Sequence, residues 1–291
     1  MKTTLSMKLF GTLQKGKAQL NTEAIHTIAG FVESQRTEED AFMDKGGKAD
    51  LYYTLFGWML CYILGIRLDS GKMTAYLAKQ DKEKLDLIHY AAYMRCLLIQ
   101  QVMIKRKAGL LLQSFFTKEV RALDEFDGVP HNDLYAPYTQ FIRLSLLEDT
   151  GNRIKHKKQD MELLASYRLP DGGFMNTRDG VTATTNATVA ALAVQGQLIG
   201  YKENEDIFYL RDLQEKSGGF AAAKASPVPD LLSTATALFT LKSYGVLPNY
   251  PARDFIEAHW MDTGGFAATL LEDRSDVEYT FYGLLALGAI K

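Results

Sequence analysis

The chain has 291 residues, of which 47% are hydrophobic and 23% charged, a composition that excludes a disordered, collagen-like or disulfide-framed protein. Thirty-three Lys and Arg against 35 Asp and Glu leave a net charge of −2 with no block of one sign, so no nucleic acid partner is expected. Only Cys61 and Cys96 occur, a usage expected of reduced core residues in a cytoplasmic protein.

Taken in chain order, the first 20 residues carry Lys2, Lys8, Lys15 and Lys17 and no apolar run long enough for a secretory leader, so export is not expected. Leu51 to Ile66 is uncharged and rich in aromatic residues, but its 16 residues fall short of the roughly 20 that cross a membrane. The segment reads as a buried helix, and a weak peripheral attachment of an apolar rim to a membrane surface is compatible with it.

The remainder is organised by repeats. Gly172-Gly173-Phe174, Gly218-Gly219-Phe220 and Gly264-Gly265-Phe266 recur 46 residues apart. Ten residues after each Phe stands an anchor, Thr184, Asp230 or Asp276, with Thr four residues later and Leu eight residues later. Asp50, with Thr54, copies the last unit closely, while Asp133 and Asp86 mark weaker ones. The anchors at 50, 86, 133, 184, 230 and 276 therefore define six units, clearest over 38–66 and 160–291.

Each unit reads as two helices about a glycine turn. Residues 206–216 end in Lys216-Ser217-Gly218, a stop signal, and Asp230 is suited to cap the next helix. Leu231 to Gly245 is apolar on nearly all sides, which places such second helices inside and the more charged first helices outside. No segment alternates as a strand does. Because Thr280 to Ile290 is nearly all apolar, the last unit is expected to pack on the first. The expected fold is all-α: one domain over 1–291, six helical hairpins closed in a ring, an α6/α6 toroid around a central apolar cavity.

Gly-Gly-Phe followed by Asp-x-x-x-Thr and an apolar helix resembles the repeat of protein prenyltransferase β subunits and of squalene and terpene cyclases. Gln214 to Phe220 is similar to the cyclase Gln…Gly-x-Trp repeat, with Phe for Trp. The resemblance implies the toroid and a cavity that accepts an isoprenoid or similar chain. In β subunits of this kind, zinc is held by an Asp-x-Cys and a later His. Asp230 matches the Asp, but Leu232 and Tyr279 occupy the other two positions, and no metal site is expected. The family's diphosphate clamp is matched only by Lys224 and, in the adjacent unit, Arg178; Pro227 replaces its lysine. Those two cations either meet across neighbouring loops on a phosphate or are solvated loop charges. The cyclase Asp-x-Asp-Asp acid motif is absent, and Asp124 with Asp127 is the one pair considered for magnesium, should the substrate be a diphosphate. No other cofactor is expected.

Positions two and three after each anchor should lie at the cavity mouth. These are Tyr52 and Tyr53, Ile88 and His89, Tyr135 and Ala136, Asn186 and Ala187, Leu232 and Ser233, and Glu278 and Tyr279. Glu278, in an otherwise apolar helix, and His89 are the candidate acid or base, each with a structural alternative: an outward carboxylate and a hydrogen-bonded core histidine. Tyr279 and Asp230 complete the candidate catalytic group. The apolar tail of a substrate is expected against Phe56, Phe281 and Tyr282, where aromatic faces can also stabilise a cation. Two functions follow from the resemblance: zinc-independent action on a long apolar substrate, cyclisation first, or noncatalytic lipid binding, alone or as a partner subunit.

Overall fold

The computed structural model describes residues 3–105, 120–122, 125–126, 133–170 and 172–290. Six helices form an inner ring: α3 (Leu51–Leu64), α5 (Leu87–Lys105), α6 (Pro137–Asp149), α8 (Thr185–Ile199), α10 (Leu231–Tyr244) and α12 (Val277–Ala289). Each packs on the next, and α12 packs on α3, so the ring is closed. Outside it lie α2 (Thr22–Ser34), α4 (Ser70–Ala78), α7 (Lys157–Ala165), α9 (Glu205–Arg211) and α11 (Arg253–Ala258). The fold is the expected α/α toroid.

The repeat signature has a physical cause. Each anchor caps an inner helix: Asp50, Thr184, Asp230 and Asp276 accept from the backbone N–H three residues on, at 2.7–3.2 Å. The Thr four residues after the anchor is fully buried, and its Oγ1 accepts from the amide of the Gly-Gly-Phe phenylalanine. The pairs are Phe42–Thr54, Phe174–Thr188, Phe220–Thr234 and Phe266–Thr280, at 2.8–3.2 Å. In three of them the same hydroxyl donates to the anchor carbonyl. One threonine thus joins the turn, the helix cap and a buried ring, and satisfies a backbone donor that burial would otherwise leave costly.

The first glycine of the turn has φ near +92° in all three Gly-Gly-Phe units, a region that favours glycine. In the first unit Asp40 holds that position at φ 59°, supported by Trp58 Nε1 donating to its carbonyl at 2.7 Å and by the Asp69 amide donating to its carboxylate at 2.6 Å. Alternation predicts no strands, yet Phe42–Met43 (β1) pairs with Ala49–Asp50 (β2), and Phe220–Ala221 (β3) with Pro229–Asp230 (β4), both antiparallel. Two-residue ladders are too short for a period to be seen.

Two features depart from the expected hairpins. α1 (Leu5–Lys17) belongs to none of them; it crosses the base of the ring against α12, α3 and α6. The contact with α12 is close enough that a Cβ on Gly16 would sit 2.0 Å from the Leu284 carbonyl oxygen, and one on Gly288 1.9 Å from that of Thr12. In addition, α6 starts at Pro137, with Ala136 as its cap. The anchor of this unit is therefore Ala136, three residues after Asp133, and proline at the first helical position fixes the start. The stretch 87–104 of α5 is long and apolar enough to cross a membrane by composition, but here it is one wall of the ring. Cys61 and Cys96 are free and buried.

Candidate functional site

A cavity of about 450 Å³ runs through the centre of the ring, within the range of ligand pockets. All six inner helices line it, and Leu5, Ser6 and Leu9 of α1 contribute its floor. Its walls are mainly apolar. Of the expected substrate-binding residues, Tyr52, Phe56, Asn186, Phe281 and Tyr282 border it, as do Ile88 and Leu232. In five of the six units the position two after the anchor therefore borders the cavity, Tyr138 holding it in the third; the exception is Glu278. Tyr135 lies outside the helix, packed on the cluster of Leu144, Tyr167 and Phe174, because the anchor was misplaced by three residues.

The aromatic residues are packed edge to face around the inner mouth. Phe56 meets Tyr52 at 4.9 Å, Phe281 at 5.0 Å and Tyr282 at 5.8 Å between ring centroids. Burial and neighbouring charge push the Tyr52 and Tyr282 hydroxyls far above the ordinary phenol range, so both stay neutral donors.

Glu278 lies beside this cage, bordering neither the cavity nor its opening, and touches the cage through Tyr52. Tyr52 donates to its Oε1 at 2.7 Å, closing the ring between the first and last inner helices. Burial raises the Glu278 carboxyl above the usual range and outweighs the hydrogen bond from Tyr52; the nearby Asp276 adds to the rise. Among the described residues its Oε2 has no hydrogen-bond partner. The outward, solvated alternative does not apply to it.

The other three candidates occupy different positions. His89 stands on the outer rim, its Nδ1 2.8 Å from Asp86 Oδ2 and its Nε2 3.3 Å from Asp50 Oδ2. The hydrogen bond to Asp50 leads its causes, and the ring is raised to about 9 against the pull of its own burial. Burial acts to raise Asp50, but His89 and the Tyr53 amide outweigh it and hold that carboxyl low. His89 is thus an imidazolium clamp between the N-termini of α3 and α5. Asp230 is held by one residue: Ser233 donates to it through its amide and through its hydroxyl, each at 2.7 Å. Tyr279 lies beneath the Lys45 ammonium, 5.2 Å from ring centroid to Nζ, and borders neither the cavity nor its outer opening. Tyr53 lines that opening beside His89, Asp50 and Lys45.

The two expected phosphate cations point elsewhere. Arg178 stacks on Tyr167 at 5.8 Å, with its amide donating to Asp133, and Lys224 lies 4.7 Å from the centroid of Tyr209. Neither borders the cavity or its opening. The opening is lined by Asp44 and Asp50 against Lys45 and His89, and further carboxylates, Asp86 on His89 and Glu272 and Asp276 on Lys45, stand behind those two cations. Lys45 is already paired with Glu272 at 3.4 Å and Asp276 at 3.6 Å.

For zinc, the residues do not fit: Leu232 presents a hydrocarbon to the cavity, Tyr279 packs under Lys45, and Asp230 is engaged by Ser233. Among the described residues no three His, Cys, Asp or Glu side chains converge. Asp124 and Asp127 lie outside the described residues. Sequence reasoning missed Tyr138, Lys45, Arg95 and the α1 floor; Pro137 was the available signal for the first, and for the third the signal was that Arg95 is the one Lys or Arg within 87–104.

The family model of the prenyltransferase alpha-alpha toroid domain matches residues 69–226, more than half of the chain. That span includes 69–160, where the repeats are hardest to see, and ends before the last unit. Among solved structures, the crystal structure of a protein from Actinoplanes is similar at 12% identity with a TM-score of 0.54, covering 92% of this chain and 98% of that one. At that identity the likeness concerns the fold. No curated protein matches.

Proposed function

Because the chain belongs to the prenyltransferase α/α-toroid domain family, we propose that it takes a neutral isoprenoid or comparable apolar chain into the central cavity and cyclises it by acid–base chemistry at Glu278, without zinc. The observation that carries this reading is the Tyr52–Glu278 pair, a carboxyl raised by burial and set at the edge of an aromatic cage.

In the proposed step the Glu278 carboxylic acid adds its proton to an alkene carbon. The π electrons form the new C–H bond, and the neighbouring carbon becomes a cation. Tyr52, Phe56, Phe281 and Tyr282 stabilise that cation through their ring faces, each by about 1–2 kcal/mol when desolvated. A second π bond closes the ring, and loss of a proton to the Glu278 carboxylate or to water at the mouth ends the reaction, which is a net isomerisation. Tyr52, bonded to Oε1, leaves Oε2 for the transferred proton. A diphosphate is disfavoured: it would enter past a surplus of carboxylates whose two cations are already paired. Localisation in the cytoplasm belongs to the same proposal, as does the absence of magnesium chemistry.

The noncatalytic lipid-binding alternative draws on the replacement of the family's ligand positions by Leu232 and Tyr279. Turnover of a panel of linear C10–C20 isoprenoids in D₂O, followed by mass spectrometry, separates the two. The expected result is one deuterium gained per cyclised product, abolished in Glu278→Gln with binding retained. Binding without conversion of any member by the wild type leaves the lipid-binding reading.

A further inference from the structure

Among its described lining residues, the cavity has a single ionised side chain, Arg95 of α5. It stands nine residues beyond the capping Asp86, against two for Glu278 beyond Asp276, which sets it about 10 Å deeper at 1.5 Å per residue. Its Nε donates to Asp149 Oδ2 at 3.2 Å and its Nη2 to Ser145 Oγ at 2.7 Å. Asp149 accepts also from Ser6 Oγ at 2.8 Å, and the Ser145 hydroxyl donates to the Phe141 carbonyl. These partners hold the guanidinium from α6 and the floor, and Asp149 itself does not border the cavity. Among the described residues Nη1 has no hydrogen-bond partner. A guanidinium has five N–H donors, of which two are engaged here, and donors left open against apolar walls carry a cost.

We propose that the ligand of this cavity carries a neutral oxygen function, a hydroxyl, carbonyl or ether, at its buried end, and that Arg95 Nη1 donates to it. The proposal rests on the reading that the cavity takes an apolar chain, and it adds the polarity and direction of that chain. Charge selects the class. Asp149 already balances Arg95, and Glu148 lies close behind it, so a carboxylate or phosphate here meets no net positive charge and still loses its water. A neutral acceptor satisfies the open donor without that penalty. The ligand therefore lies with its oxygen on the floor and its alkene end beneath Tyr52 and Glu278.

Displacement of the neutral dye 1-aminoanthracene by n-octane, 1-octanol and octanoate tests this. In the wild type 1-octanol should displace the dye about tenfold more tightly than n-octane, the effect of one hydrogen bond to a charged donor, and octanoate should gain nothing over n-octane. In Arg95→Met/Asp149→Asn, which removes donor and counter-charge together, the preference for 1-octanol should vanish while n-octane binds as before. Equal affinities of 1-octanol and n-octane, tightest binding by octanoate, or a preference that persists in the double variant overturns the inference. Should the double variant not fold, the wild-type ranking decides alone. If neither the dye nor any probe binds, the cavity reading itself fails, which is a different outcome from binding without preference.

Discussion

Replacing His89 by Gln removes the cation that joins Asp86 and Asp50 and leaves a side chain of similar reach. Raised from 6.5 to about 9, the imidazole binds a proton more strongly in the folded chain than in the unfolded one. At about 1.4 kcal/mol per tenfold change in affinity, the full effect is about 3.4 kcal/mol. The ring, however, is 36% exposed, and solvent screening reduces the working figure to about 1–2 kcal/mol. The sign follows from the direction of the rise: the contribution is complete below pH 6.5 and is lost as pH climbs through about 9. Urea unfolding of the wild type and His89→Gln at pH 6 and pH 10 isolates it, because lysines and tyrosines titrate alike in both proteins. The wild type should lose about 1–2 kcal/mol more than the variant between the two conditions. Parallel losses would refute the clamp.

Two further outcomes test the frame around the site. Thr234→Val keeps the shape of a fully buried side chain and strands the Phe220 amide, so stability should fall by about 1–3 kcal/mol by denaturant unfolding and exchange of that amide should quicken. Gly288→Ala puts a methyl group on the Thr12 carbonyl, and the loss by overpacking, about 1–3 kcal/mol or more, should appear in the thermal midpoint together with early proteolysis of α1.

The repeats made the ring legible because each copy needs the same three parts. A glycine turn, a capping anchor and the Thr that bonds the Phe amide act together, so they recur at one spacing in the three Gly-Gly-Phe units, and two residues closer between Phe42 and Thr54, where Asp40 stands for the glycine. Where those parts are missing, legibility fails. The third inner helix begins at Pro137 with Ala136 as its cap, and an aspartate three residues earlier was a better sequence match than the true anchor. α1 escaped because it repeats nothing: its glycines matter only against the backbone of α12, a partner more than 260 residues away. Of the candidate catalytic group, Glu278 was visible as a charge in an apolar helix. The same reasoning could not separate it from His89, since residues two and three positions after the anchor differ by about 100° around the helix: His89 turns to the outer opening, and Glu278 to Tyr52 of the neighbouring inner helix.

These corrections bear on chemistry in one direction. Moving the third-unit residue from Tyr135 to Tyr138 adds a phenol to the cage, while Arg178 and Lys224 turn to outer tyrosines and remove two cations from the site. His89 and Lys45, the cations that remain at the opening, are bound to carboxylates, and the one guanidinium inside is balanced by Asp149. Among the described residues the cations that line the cavity and its opening are therefore matched, and Glu278, which pairs with none of them, is raised toward its neutral form by burial. Among the described residues such a cavity presents no unpaired cation to a leaving diphosphate. In the proposed reading it supplies a proton donor, ring faces for a transient cation and, on its floor, the open N–H groups of Arg95. That combination fits a reaction begun by protonation of a neutral chain rather than by ionisation of a charged one.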